Sequence, residues 1–151
     1  MAQKKEAVQG SRRQSRECAL QFLFQWEFQG GSVQGGRELE AAFVLFCRHF
    51  ERPKRIVSYG MKLVAGFMEQ KNKVDELIRA NAKNWRLERM THVDRNILRI
   101  AVLELCFHDD VPARVAINEA VEMAKMYGDS DSPSFINGIL DSVNRTVHND
   151  A

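Results

Sequence analysis

Residues 91–107 read THVDRNILRIAVLELCF, and their pattern decides the fold. Thr91-x-x-Asp94 has the form of a capping box, in which a hydroxyl and a carboxylate three residues on each satisfy a backbone N–H that the first helical turn leaves open. Behind it, Val93, Ile97, Leu98, Ile100, Ala101, Val102, Leu103, Leu105 and Phe107 occupy most of the circumference of a helix over 92–107. A helix that is apolar on every side is enclosed by other elements. This segment is therefore expected at the centre of an all-α bundle.

The flanking sequence supplies the helices that would surround it. Downstream, Val111-Pro112 opens a helix with Ile117, Ala120, Val121 and Ala124 on one stripe, closed by Gly128. Ser132-Pro133 then reads as an N-cap followed by proline at the first helical position, starting a last helix with Ile136, Ile139, Leu140, Val143 and Val147 along one side. Upstream, a first helix spans about 11–29 and ends at Gly30-Gly31, where glycine adopts the left-handed conformation at little cost. A second covers about 37–51 and stops before Pro53, a third about 54–70, and a fourth begins near Asn72 and reaches about 82. Gly60 and Gly66 in the third allow a close helix crossing. The expectation is about seven helices in one domain over 11–151, with halves near 11–83 and 84–151, preceded by a basic flexible arm over 1–10.

Composition agrees with this class. The chain has 151 residues, 44% hydrophobic and 28% charged, with 3 prolines and 9 glycines, too few turn residues for a sandwich or barrel. No run reaches the roughly 18 apolar residues of a membrane span, and Met1–Gly10 lacks the apolar segment of a signal peptide, so a cytoplasmic location is expected. Cys18, Cys47 and Cys106 form no C-x-x-C pair and read as small core residues. His49, His92, His108 and His148 have no partner at metal-ligand spacing, and no phosphate loop or nucleophile motif occurs. Neither catalysis, a metal nor a cofactor is expected. Arg99 and Glu119 lie in apolar helices and call for internal pairing, with Glu119 or Asp141 the expected partner of Arg99.

Three features exceed what a core requires. Residues 1–16 carry Lys4, Lys5, Arg12, Arg13 and Arg16 against Glu6 alone, a charge pattern that suits a polyanion as well as a merely solubilising terminus. On the first helix, Ala19, Phe22, Leu23 and Trp26 form a core stripe, while Leu20, Phe24 and Phe28 form a second row. Another helix of the chain or a partner protein must cover that row. Phe135 falls outside the stripe of the last helix beside Ser134 and Asn137. An aromatic ring flanked by such polar groups can stack on an unpaired base, or it can close the preceding loop.

Taken together, Arg12-Arg13-x-x-Arg16-Glu17-Cys18-Ala19 running into Leu-Phe-Gln-Trp26, Asn96–Leu105, Val111–Lys125 and Ser134-Phe-Ile-Asn-Gly-Ile-Leu-Asp141 resemble the NusB family of bacterial transcription antitermination factors. The resemblance implies a NusB-like bundle of two three-helix subdomains and a non-enzymatic RNA-binding factor. That factor pairs with ribosomal protein NusE, binds boxA RNA of nascent ribosomal transcripts, and joins the RNA polymerase antitermination complex. By the same match, Arg12, Arg13, Arg16, Asp131 and Phe135 fall where the family meets RNA, with Ser134 and Asn137 beside them. Phe24, Phe28 and Asp94 fall where it meets NusE, with Leu20 in the same row. Phe24 stands where the family often has tyrosine. Two other readings remain open: the accessory RNA-binding domain of an rRNA cytosine methyltransferase, and a self-associating scaffold or homodimer.

Overall fold

The computed structural model describes residues 2–31 and 36–148, with side chains from Ser11 onward. Its elements are α1 (Ala2–Phe28), α2 (Gly36–His49), α3 (Lys54–Asn81), a 3-10 turn (Leu87–Arg89), α4 (His92–Phe107), α5 (Ala113–Tyr127) and α6 (Ser132–His148). The described residues are thus all-α, with six helices against the seven segments expected. The third and fourth expected segments run on as α3 with a kink between them at Gln70 (φ −107°, ψ 15°), where the third was expected to end. Neither proline nor glycine occurs from Met68 to Asn72, and Glu, Gln and Lys are good helix formers, so the chain kinks there without opening into a loop. For the same reason α1 starts at Ala2 and takes in the backbone of residues 2–10. The side chains of Lys4, Lys5 and Glu6 lie outside the described residues.

Two compact units meet at this point in α3, Met1–Glu69 and Gln70–Ala151, so the division falls earlier than residue 83. In the first unit, Cys18, Ala19, Phe22, Leu23 and Trp26 of α1 are buried with Leu39, Phe43 and Cys47 of α2 and Ile56, Leu63, Val64 and Phe67 of α3. Phe22 meets Phe43 edge-on at 5.2 Å between ring centroids, and Trp26 meets Phe67 at 6.3 Å. The close crossing expected at Gly60 is present: a Cβ there would stand 2.8 Å from Phe43 Cζ. Ser15 Oγ donates to the Ile56 carbonyl at 3.0 Å, tying α1 to the start of α3. At the end of α1, Gly30 (φ 90°) and Gly31 (φ 64°) take the left-handed conformation, and the Gly31 N–H returns to the Trp26 carbonyl at 2.8 Å. Cys18 and Cys47 are buried free thiols with sulfurs 3.6 Å apart.

In the second unit, α4 packs against both α5 and α6, and α5 against α6. Ile97 through Leu105 of α4 are all buried, as the apolar circumference requires. The stripes of its neighbours follow the expected spacing, with Ile117, Ala120 and Ala124 of α5 and Ile136, Ile139, Leu140 and Val143 of α6 inside. Thr91 is the N-cap of α4, its Oγ1 accepting the Asp94 N–H at 3.1 Å. Among the described residues, no helix is long and apolar enough to cross a membrane, and no His, Cys, Asp and Glu cluster could hold a metal ion.

Candidate nucleic-acid and partner interface

In the first unit two cationic side chains of α1 and one of α3 gather around one ring. Arg12 Cζ lies 4.7 Å from the centroid of Tyr59, and Arg16 Cζ and Lys62 Nζ lie 6.0 Å from it. A cation over an aromatic face is attracted by its quadrupole, so Tyr59 of α3 holds these charges close together against their mutual repulsion. Arg13 and Lys62 are exposed and Arg12 is half-buried. Arg16 departs from the expectation of an open phosphate grip: it is only 3% exposed. The turn that carries it also carries Ser15, whose hydroxyl is fixed to α3, and Arg16 lies along Tyr59 of the same helix. Arg12 and Arg16, four residues apart, therefore converge on one ring instead of reaching out in parallel.

The second row of α1 is likewise divided. Phe24 and Phe28 are 40% and 76% exposed, and their rings stack with centroids 6.3 Å apart and planes 10° apart. Leu20, expected to stand with them, is 3% exposed and belongs to the core. Each step of four residues advances about 40° around a helix, so Leu20 and Phe28 are about 80° apart, enough to turn Leu20 inward.

In the second unit, the start of α6 is built differently from the Ser132 cap that the sequence predicts. The Asp129 carboxylate accepts the N–H groups of Asp131 (2.9 Å) and Ser132 (3.1 Å) through Oδ1, while Ser132 Oγ is buried and accepts the Asp129 N–H at 3.0 Å. Asp131 and Ser134 are exposed and Phe135 is half-buried. Ser134, Phe135 and Gly138 lie within about 100° of arc, and Asn137 lies about 60° beyond, where its Nδ2 donates to Asp141 Oδ2 at 3.3 Å. A carboxylate such as Asp131 repels phosphate, and what it can accept is a base amino group.

Asp94 is buried at the first turn of α4, and its Oδ1 has no hydrogen-bond partner among the described residues. Burial pushes its carboxyl above the usual range and the nearby Asp129 adds to this, while bonds to Ser132 and Thr91 oppose it. The expected second oxygen turned towards a partner is thus enclosed.

Sequence reading missed Trp85. Its ring is 63% exposed and meets Phe135 edge-on at 5.6 Å. A tryptophan between Asn84 and Arg86 in a polar stretch, with no periodicity to bury it, is the signal that could have found it.

The NusB family model matches residues 13–145 of this chain. The chain belongs to the NusB family. It is 46% identical over 132 residues to the transcription antitermination protein NusB of Desulfotalea psychrophila, covering 87% of this chain and 94% of the relative. Among solved structures, NusB of T. maritima superposes with a TM-score of 0.77 at 34% identity, covering 89% of this chain and 90% of that one. A structure of antitermination factors NusB and NusE in complex with dsRNA shares the fold, with a TM-score of 0.77 at 23% identity over 90% of this chain and 97% of that chain. The NusB-family function is transcription antitermination, which is not an enzymatic one.

Proposed function

We propose that this chain acts in the bacterial cytoplasm as an adaptor that pairs with ribosomal protein NusE and, with it, holds the boxA element of nascent ribosomal RNA for the RNA polymerase antitermination complex. One observation carries the reading: α1 presents cations gathered on Tyr59 at its middle and an exposed, mutually stacked phenylalanine pair at its C-terminal end. The first suits phosphate and the second an apolar protein partner. Arg12, Arg13 and Lys62 meet the RNA backbone in this reading, and Arg16 positions Tyr59 and Arg12 from within. Asp131, Ser134, Phe135 and Asn137 meet bases, and Phe24 and Phe28, with Asp94 steadying the start of α4, meet NusE. The solved NusB–NusE–RNA assembly of the same fold supports the pairing.

Few phosphates are engaged, so RNA affinity of the chain alone should be modest and fall with salt. It should rise when NusE extends the surface. Binding of a boxA oligoribonucleotide, measured with and without NusE across a salt series, tests this. Equal affinity in both conditions would refute the cooperative adaptor. Sedimentation with and without NusE separates pairing from a homodimer in which a second copy covers Phe24 and Phe28.

A further inference from the structure

The second unit carries a hollow of about 440 Å3 beside α6, lined in part by Lys83, Asn84, Trp85, Ser134, Phe135 and Gly138. We propose that this hollow takes one unstacked base of single-stranded RNA, stacked on Trp85 and lying across the bare backbone of Gly138, an inference that rests on the RNA-binding reading above.

Three independent features support it. The first is Gly138. A glycine inside a helix costs about 0.5–1 kcal/mol relative to alanine, and packing gives no reason for it here, since a Cβ at this position would meet nothing within 4 Å. What the missing side chain provides is open space in the hollow. The second is the rigidity of the Trp85 platform. The Trp85 N–H bonds to the Ala82 carbonyl at 3.1 Å, and Leu87 is buried. Arg95 Nη1 donates to the carbonyls of Leu87 (2.9 Å) and Met90 (3.0 Å), fixing the segment from below. A large ring held on a fixed loop yet mostly exposed binds a planar ligand with little further loss of entropy.

The third is charge. Across residues 79–89, Arg79, Lys83, Arg86 and Arg89 are exposed against a single carboxylate, Glu88, which pairs with Arg79 at 2.9 Å and leaves a net charge of +3. On its other side the Trp85 segment borders a second hollow of about 520 Å3 reached by Arg79, Lys83 and Arg86. A base on the Phe135 side and its phosphate on the arginine side would straddle the indole. Asn84 and Ser134 at the rim offer donors and acceptors to a base edge.

The test compares wild type, Trp85→Ala, Trp85→Phe, Gly138→Leu and Arg13→Ala for binding to a single-stranded boxA oligoribonucleotide, with NusE binding measured in parallel. Trp85→Ala should raise the Kd about 5- to 100-fold, the range for loss of one base stack, and Trp85→Phe should recover most of it. Gly138→Leu should fill the hollow and raise the Kd at least about 10-fold without lowering the thermal midpoint, a combination that a purely structural role of Gly138 would not give. Trp85 fluorescence should be quenched by RNA, and the quench should vanish in Trp85→Phe. Unchanged RNA affinity in both Trp85→Ala and Gly138→Leu, with Arg13→Ala still weakening it, overturns the base hollow and leaves the RNA reading standing. Loss of NusE binding in Trp85→Ala with RNA affinity intact also overturns it, making this a protein face. Failure of wild type to bind the RNA with or without NusE removes the RNA reading itself.

Discussion

Arg99 grips Asp75 with two hydrogen bonds, Nε to Oδ1 at 2.9 Å and Nη2 to Oδ2 at 3.1 Å, and both side chains are almost wholly buried. The same guanidinium reaches Asn96 Oδ1 at 3.2 Å. Removing one member of a buried pair leaves the other charge in a poor dielectric and costs about 3–5 kcal/mol. Asp75→Ala should therefore destabilise the protein by about that much in urea denaturation. Lys71→Ala, which removes the half-exposed lysine 3.2 Å from the same carboxylate, should cost less than about 1 kcal/mol. Similar losses for the two would show that Asp75 owes its place to Lys71.

Gly60 gives a second test of packing. A methyl there would press on Phe43 Cζ at 2.8 Å, inside van der Waals contact, and overpacking of this kind costs about 1–3 kcal/mol. Gly60→Ala should lower stability despite the better helix propensity of alanine. Phe43→Leu in the Gly60→Ala background should be less harmful than in wild type, because the smaller side chain clears the clash. Additive losses in the double-mutant cycle would place the strain elsewhere.

Asp94 links stability to pH with a definite sign. Its folded carboxyl is raised above the ordinary aspartate value of about 3.9, by burial first and by Asp129 as well. Between that value and its folded pKa the native state binds more protons than the unfolded chain, so stability falls as pH rises through this window. Asp94→Asn removes the buried charge and should raise the thermal midpoint at pH 7, with the difference from wild type vanishing below the ordinary aspartate pKa of about 3.9. If the carboxylate serves the partner, the same variant binds NusE less tightly while being more stable. A variant less stable than wild type at pH 7 would show that the bonds to Ser132 and Thr91 outweigh the burial.

The helical class and the central place of α4 were legible because an apolar circumference over Val93–Phe107 has one physical outcome. The ends of helices at Gly30, Pro53, Thr91 and Gly128 were legible through local backbone chemistry. What escaped was what local chemistry does not encode. The kink at Gln70 falls where the third segment was expected to end, and what escaped is that the helix resumes at once, because good helix formers flank it. Asp75 as the partner of Arg99 escaped because their pairing spans 24 residues. At the candidate site, periodicity separated Phe24 and Phe28 from the core stripe but put Leu20 with them, since rows four residues apart drift around the helix. Arg16 looked like Arg12 in sequence, and only the position of Tyr59 tells the buried cation from the outer ones. Trp85 lay in a stretch with no period to read.

Phe24 and Phe28 provide the sharpest separation of surface from core. Phe24→Ala and Phe28→Ala remove exposed rings and should each change stability by no more than about 0.5 kcal/mol. An aromatic anchor at a protein interface contributes about 1–2 kcal/mol or more when truncated, so each variant should weaken NusE binding about 10-fold. Because the two rings stack on each other, removing Phe28 also frees Phe24 to reorient, and the double variant should lose less than the two single effects combined. RNA binding in the absence of NusE should be unaffected, since the cations that serve it gather on Tyr59 at another part of α1. Unfolding of Phe24→Ala would place the ring in the core and refute the docking role, and weakened RNA binding without NusE would mean that these rings meet RNA directly.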